Sequence, residues 1–167
     1  MANRQITQVN SSPAPMAPKV AKARFDLTAL TPVAASDVVK SGVYIPEGAI
    51  ITRAWYFVDV TLTGGGSDAA APKLGITSND DAFVATIAIS AGGNVWDQGA
   101  RGTLIDNPAI SGDAATTLVH AALNSATMTH CAVDEEIILT NVTNTITAGK
   151  LTVYVEYVQT GLLVAIG

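Results

Sequence analysis

An all-β fold is what this 167-residue sequence predicts: an antiparallel β-sandwich, plain or jelly-roll-like, with an extended N-terminal arm. Three observations carry that expectation. The chain is rich in Ala, Thr, Val and Gly, with 49% apolar but only 5% aromatic residues, a mixture that suits pleated sheets joined by tight turns. Apolar side chains recur at a period of two in two long stretches, residues 50–63 and 150–158, as they do along a strand with one dry face. Finally, no run of helices separates the strand-like segments, so the crossovers that a parallel sheet needs are missing.

Residues 1–19 read as a flexible basic arm and residues 20–167 as one sandwich domain, long enough to bury roughly two-thirds of its unfolded surface. QVNSSPAPMAPK, residues 8–19, is rich in proline and small side chains and should run extended. Arg4, Lys19, Lys22 and Arg24 give residues 1–24 a charge of +4 with no acid, while residues 25–167 carry −9, which together make the chain's −5. A basic leader of this kind meets nucleic acid or an acidic protein surface. With no aromatic before Phe25, the nucleic-acid signal is weak.

Along the body, KARFDLTALTPV predicts a first strand to about Leu30, and VAASDVVKS (33–41) reads as a polar turn and strand in preference to a short helix capped at Ser36. Pro46, placed second, and Gly48, closing, suit a tight turn. From there the even residues Ile50, Thr52, Ala54, Tyr56, Val58, Val60 and Leu62 form the drier face of a long strand. Its odd face holds Arg53, Trp55, Phe57 and Asp59, mixed enough to be covered by a second sheet or a sister subunit.

TGGGSDAAAP (63–72) predicts a flexible projecting loop. KLGITS (73–78) and VATIAIS (84–90) read as strands around a turn or short helix at NDDAF, followed by a loop with WDQGARG. TTLVHAAL (116–123) fits strand or helix. THCAV (129–133), EIILTNV (136–142) and KLTVYVEYV (150–158) read as strands, bringing the total to about eight to ten. The closing GLLVAIG would lose roughly 1.5–3 kcal/mol for each of Leu162, Leu163, Val164 and Ile166 left in water. It is either another strand or a segment docked on a neighbouring subunit.

Chemistry is hard to place on this chain. His120 and His130 are the available imidazole bases, and His130 and Cys131, as strand neighbours, point to opposite faces. The lone Cys131 excludes an intramolecular disulfide and reads as a buried inert thiol. GGGS at 64–67 lacks the Lys-Ser/Thr ending of a P-loop, and GGNVWDQGARG is no dinucleotide fingerprint. Asp80-Asp81 and Asp134-Glu135-Glu136 have no calcium-loop spacing and read as charged turns. Trp96 is expected to anchor its loop to the core. Asn10 and Asn141 stand in sequons that carry little weight without a secretion signal. No apolar run has the length of a signal-peptide core or a membrane span. No catalytic, cofactor or metal residue is therefore assigned, and synthesis in a cytoplasm is expected.

YIPEGAIITRAWYFVDVTLT, KLGITSNDDAFVATIAIS, the WDQG loop and TAGKLTVYVEYV, across roughly residues 42–160, resemble small structural proteins of tailed bacteriophages of the head decoration or cement type. The resemblance implies a β-rich, oligomeric protein on the capsid surface of the virion, bracing contacts between major capsid protein subunits. With no reactive set, a weak nucleic-acid signal and no apolar span, no enzyme, no nucleic-acid partner and no membrane are expected. A homotrimer is the expected assembly, with Arg4, Lys19, Lys22, Arg24, Trp55, Phe57, Leu162, Leu163 and Val164 at capsid or subunit interfaces. The alternative is a phage tail, fibre or adhesin domain that binds a host-surface glycan through the GGGSD and Trp96 loops.

Overall fold

The computed structural model describes residues 17–30, 32–93, 95–103 and 129–159. Arg4, the 116–123 segment with His120, and Leu162, Leu163 and Val164 lie outside the described residues. The strands are β1 (Lys19–Asp26), β2 (Val38–Ile45), β3 (Ala49–Gly64), β4 (Pro72–Ile76), β5 (Asn79–Val84), β6 (Arg101–Thr103), β7 (Thr129–His130), β8 (Glu135–Asn141) and β9 (Ile146–Gln159). They form two antiparallel sheets. The first runs β1-β9-β3-β6, with β7 pairing further along β3, and the second runs β2-β8-β4-β5. The fold is thus the all-β sandwich that alternation predicts.

The inner faces of both sheets meet in one core. Ala21, Ala23 and Phe25 of β1, Leu151, Val153 and Val155 of β9, and Ala54, Tyr56, Val58 and Leu62 of β3 line one side; Leu74 and Ile76 of β4 with Ile137 and Leu139 of β8 line the other. The even face of β3 is buried from Ala54 to Val58 and again at Leu62. Before that, the buried residues are the odd Ala49 and Ile51, and Val60 is exposed. Pairing with β9 explains both departures. The register slips between Ile51 and Arg53 and again between Val58 and Val60, and each extra residue swaps which side chains face inward.

Several local expectations are corrected by backbone hydrogen bonds. The tight turn is shifted one residue: Ala49 N–H donates to the Pro46 carbonyl at 3.1 Å, so Pro46 opens the turn and Gly48, at φ 76°, takes its third position, where a type II turn needs positive φ. NDDAFV is strand, not turn or helix, joined to β4 through Thr77-Ser78. Only Val84 of VATIAIS is regular strand; Ile87 and Ile89 N–H groups still donate to Pro72 and Ala70 carbonyls, so the segment runs alongside residues 70–72. The first strand ends at Asp26 rather than near Leu30.

The triple-glycine segment is pinned instead of projecting freely. Gly65–Asp68 makes a single helical turn with left-handed φ at Gly66, Ser67 and Asp68. Asp68 Oδ1 accepts from Gly64 N–H at 2.7 Å, and the Thr145 carbonyl accepts from Gly65 N–H at 2.7 Å. An acidic side chain here does the work of a backbone acceptor, which offsets the conformational entropy that three glycines lose.

Candidate interaction face

Strand alternation decides what the outer face of the first sheet carries. On β1, Val20, Lys22, Arg24 and Asp26 alternate with the buried Ala21, Ala23 and Phe25. Across the sheet, Lys22 pairs with Tyr154 and Tyr154 with Trp55. The next row reads Arg24, Thr152, Phe57 and, on β6, Arg101. Four residues singled out from the sequence, Lys22, Arg24, Trp55 and Phe57, therefore share one face.

Aromatic and cationic groups on it form a ladder. Lys22 Nζ lies 5.5 Å from the Tyr154 ring centroid, Tyr154 and Trp55 stack at 5.4 Å with their planes 8° apart, and the Arg53 guanidinium carbon lies 5.6 Å from the Trp55 ring. Stacking adds about 0.5–1.5 kcal/mol beyond burial, and an exposed cation–π contact about 0.5–1 kcal/mol. Lys22 reaches Tyr154 from the β1 side and Trp55 from the β3 side, so both faces of that phenol ring are covered. Phe57 is 39% exposed and Val20 and Val60 are exposed with it.

The charges on this face do not balance. Lys22, Arg24, Arg53, Arg101 and Lys150 stand against Asp26, Asp59 and Glu156. Each acid is already engaged: Lys150 Nζ donates to Asp26 Oδ2 at 2.6 Å, Thr152 Oγ1 to Asp59 Oδ2 at 2.8 Å, and Thr52 Oγ1 to Glu156 Oε1 at 3.0 Å. The Lys150 hydrogen bond holds the Asp26 carboxyl below its ordinary range, against a smaller opposing effect of desolvation. A basic patch thus sits on an acidic protein.

Of the other sequence-predicted positions, Lys19 lies at the start of β1, where its Nζ donates to Gln159 Oε1 at 2.9 Å. Of the four bases among residues 1–24, Lys19, Lys22 and Arg24 are strand residues. Arg101 and Tyr154 complete the face without having been singled out from the sequence. Arg101 stood in a segment read as loop, and Tyr154 in KLTVYVEYV, read only as a strand.

Elsewhere, polar side chains serve the backbone. Glu135 and Glu136, expected in a charged turn, are buried on β8. Glu135 Oε2 accepts from Ser78 N–H at 2.9 Å, and Glu136 accepts from Gly42 N–H at 2.8 Å and from the Tyr44 hydroxyl at 3.3 Å. The Glu136 charge raises the Tyr44 phenol pKa. Lys73 and Asp80 pair at 2.7 Å. Cys131 is buried and His130 exposed; burial, helped by the charge of Glu135, pushes the Cys131 thiol up to about 11. Among the described residues, no three His, Cys, Asp or Glu side chains are grouped to hold a metal ion, and no helix is long and apolar enough to cross a membrane.

Two residues of the glycan alternative and the sequons also find structural roles. Trp96 is 1% exposed, donates from Nε1 to the Ile87 carbonyl at 3.1 Å and packs on Tyr56 at 5.9 Å between ring centroids. Its ring is a core anchor with no face open to a sugar. Asn141 is fully buried, and its Nδ2 donates to the carbonyls of Val33, Ala34 and Asn144.

No family model and no curated protein matches this chain. Solved structures do. A chain of the cyanophage Pam1 capsid asymmetric unit superposes with a TM-score of 0.58 at 13% identity, over 95% of this chain and 99% of that one. A chain from the capsid of Ralstonia phage GP4 gives 0.52 at 16% identity over 90% of each. One from the acidic stable capsid of Helicobacter pylori bacteriophage KHP30 gives 0.51 at 13% identity, covering 84% of this chain and 86% of that one. At these identities the likeness is one of fold.

Proposed function

We propose that this chain is a structural protein of a bacteriophage virion that binds the outside of the capsid, where it decorates the shell and braces contacts between major capsid protein subunits. The observation that carries this reading is the nearly end-to-end agreement in fold with a chain of a phage capsid asymmetric unit, 95% of one against 99% of the other. A shared fold alone is an analogy. The side-chain chemistry adds to it. Glu135 and Glu136, both buried on β8, are hydrogen-bonded to backbone N–H groups, which suits a load-carrying sandwich more than a reaction site. The protein is made in the host cytoplasm and joins the particle as a homo-oligomer, a trimer in the simplest threefold arrangement.

The test is to purify the full-length chain, add it to shells assembled without it, and locate the added density by cryo-electron microscopy. Ordered density on the outer shell surface, with increased resistance of those shells to heat or denaturant, is the expected result. Density confined to the tail, or none on either, overturns the proposal.

A further inference from the structure

We infer that the outer face of the first sheet is a self-association surface, and that its occupant is the acidic end of the sandwich of a second copy of this chain. Two surfaces of opposite sign lie on one molecule. The face carries Lys22, Arg24 and Arg101, and no described carboxylate pairs with any of the three, while Asp26, Asp59 and Glu156 are engaged as described above. Arg24 and Arg101 lie in the same row, three strand spacings apart, or roughly 14 Å. Phe57, 39% exposed, stands between them.

The complementary surface is built by two turns. Gly48 N–H donates to the Cys131 carbonyl and Glu47 N–H to Asp134 Oδ1, both at 2.8 Å, which ties the Pro46–Gly48 turn to residues 131–134. The result brings the exposed Glu47 and Asp134 to one end, with Val133, 56% exposed, beside them. An exposed apolar group flanked by acids therefore matches an exposed apolar group flanked by bases. Copies that each carry −5 repel on average, so association requires such a local match. The two surfaces are different patches of the chain. The contact is accordingly heterologous, of the kind that generates rings when its rotation closes.

Nucleic acid and glycans are less suited to this face. Tyr154 is sandwiched by Lys22 and Trp55, and of the three rings Trp55, Tyr154 and Phe57 only Phe57 is exposed, which gives a base or a sugar a single ring to stack on. This inference does not rest on the proposed virion role.

The experiment is sedimentation velocity on the full-length chain at low and high salt, with two charge variants. Arg24→Glu/Arg101→Glu reverses the face, and Glu47→Arg/Asp134→Asn reverses the end while keeping the acceptor that holds Glu47 N–H. Each variant alone should associate roughly tenfold or more weakly than the parent. An equimolar mixture should recover a complex of the two, and the parent should weaken with salt. Unchanged thermal unfolding verifies that the variants fold, and Phe57→Gln is a second face variant free of charge effects. A parent that stays monomeric, variants that associate like the parent, or a mixture that recovers nothing each overturns the inference. So does binding of a single-stranded oligonucleotide that the face variant abolishes. Shell binding by a monomeric parent would overturn this inference and the homo-oligomer with it, and leave the proposed shell-binding role standing.

Discussion

Replacing Asn141 by Asp changes a few atoms yet should cost several kcal/mol, in a way that pH reverses. Asn141 Nδ2 donates to the Val33, Ala34 and Asn144 carbonyls at 3.1, 3.0 and 2.6 Å. Two of these keep another donor, because Ile146 N–H reaches Val33 and Asp37 N–H reaches Ala34. The Asn144 carbonyl loses its side-chain donor, which costs about 1–3 kcal/mol if left buried and unpaired. The larger effect is a buried carboxylate facing three carbonyl oxygens. Such a group takes up a proton instead of staying charged, and protonating an aspartate of ordinary pKa about 3.9 costs at most about 4 kcal/mol at pH 7 and about 1.5 kcal/mol at pH 5. The folded pKa of the new carboxyl is raised, so folded protein binds more protons than unfolded and the variant gains stability relative to the parent as pH falls toward 4. Urea unfolding of parent and N141D at pH 7 and pH 5 should give a deficit of about 3–5 kcal/mol at pH 7, shrinking by up to about 2.5 kcal/mol at pH 5. A deficit below about 1 kcal/mol at pH 7, or one that does not shrink on acidification, refutes this account of Asn141.

Two further outcomes are expected. A Cβ on Gly75 would sit 2.5 Å from the Asp80 carbonyl carbon and nearer still to the Asn79 carbonyl oxygen, so Gly75→Ala must push β5 off β4 and should cost at least about 2 kcal/mol, lowering Tm by roughly 4–8 °C in a differential scanning calorimetry trace. Asp26 has a depressed folded pKa, so its contribution is present above the ordinary value of 3.8 and is lost as pH falls through the folded value; the stability gap between the parent and Asp26→Asn, followed by acid titration of unfolding, should therefore be constant near neutrality and narrow below about pH 4.

What could be read from the sequence follows from how far each signal reaches. Period-two alternation is local, so the long strands at 49–64 and 146–159 and the buried Ala54, Tyr56 and Val58 were legible. A β-bulge is set by the partner strand, so nothing around Thr52 announced that Ala49 and Ile51 would turn inward. Asn79, Asp80 and Asp81 look like turn residues, yet pairing of Leu74 with Val84 and of Ile76 with Asn79 makes them strand. That is tertiary context overriding propensity. The candidate face was half legible. Trp55 and Phe57 stood out on a mixed odd face, and Lys22 and Arg24 as bases in a stretch without acids. Bringing them together required knowing that β9 lies between β1 and β3, and strand order has no signature in sequence spacing.

The two outer faces of the sandwich differ in a way that bears on assembly. On the second sheet, exposed apolar groups also occur, at Val38 and Tyr44, but its charges meet opposite charges: Lys73 pairs with Asp80 at 2.7 Å, and Lys40 lies 4.0 Å from the Glu136 that also accepts from Tyr44. A partner docking there would have to desolvate pairs already made, and breaking or burying such pairs seldom yields net affinity. The first sheet presents an aromatic ladder fixed by its own stacking and two arginines, Arg24 and Arg101, that no described acid engages. Rigid rings lose little entropy on contact, and unpaired guanidinium groups gain most from a carboxylate brought to them. Both outer faces expose apolar side chains, but only the first combines them with a surplus of one charge sign, so it is the face on which an acidic partner gains both affinity and orientation.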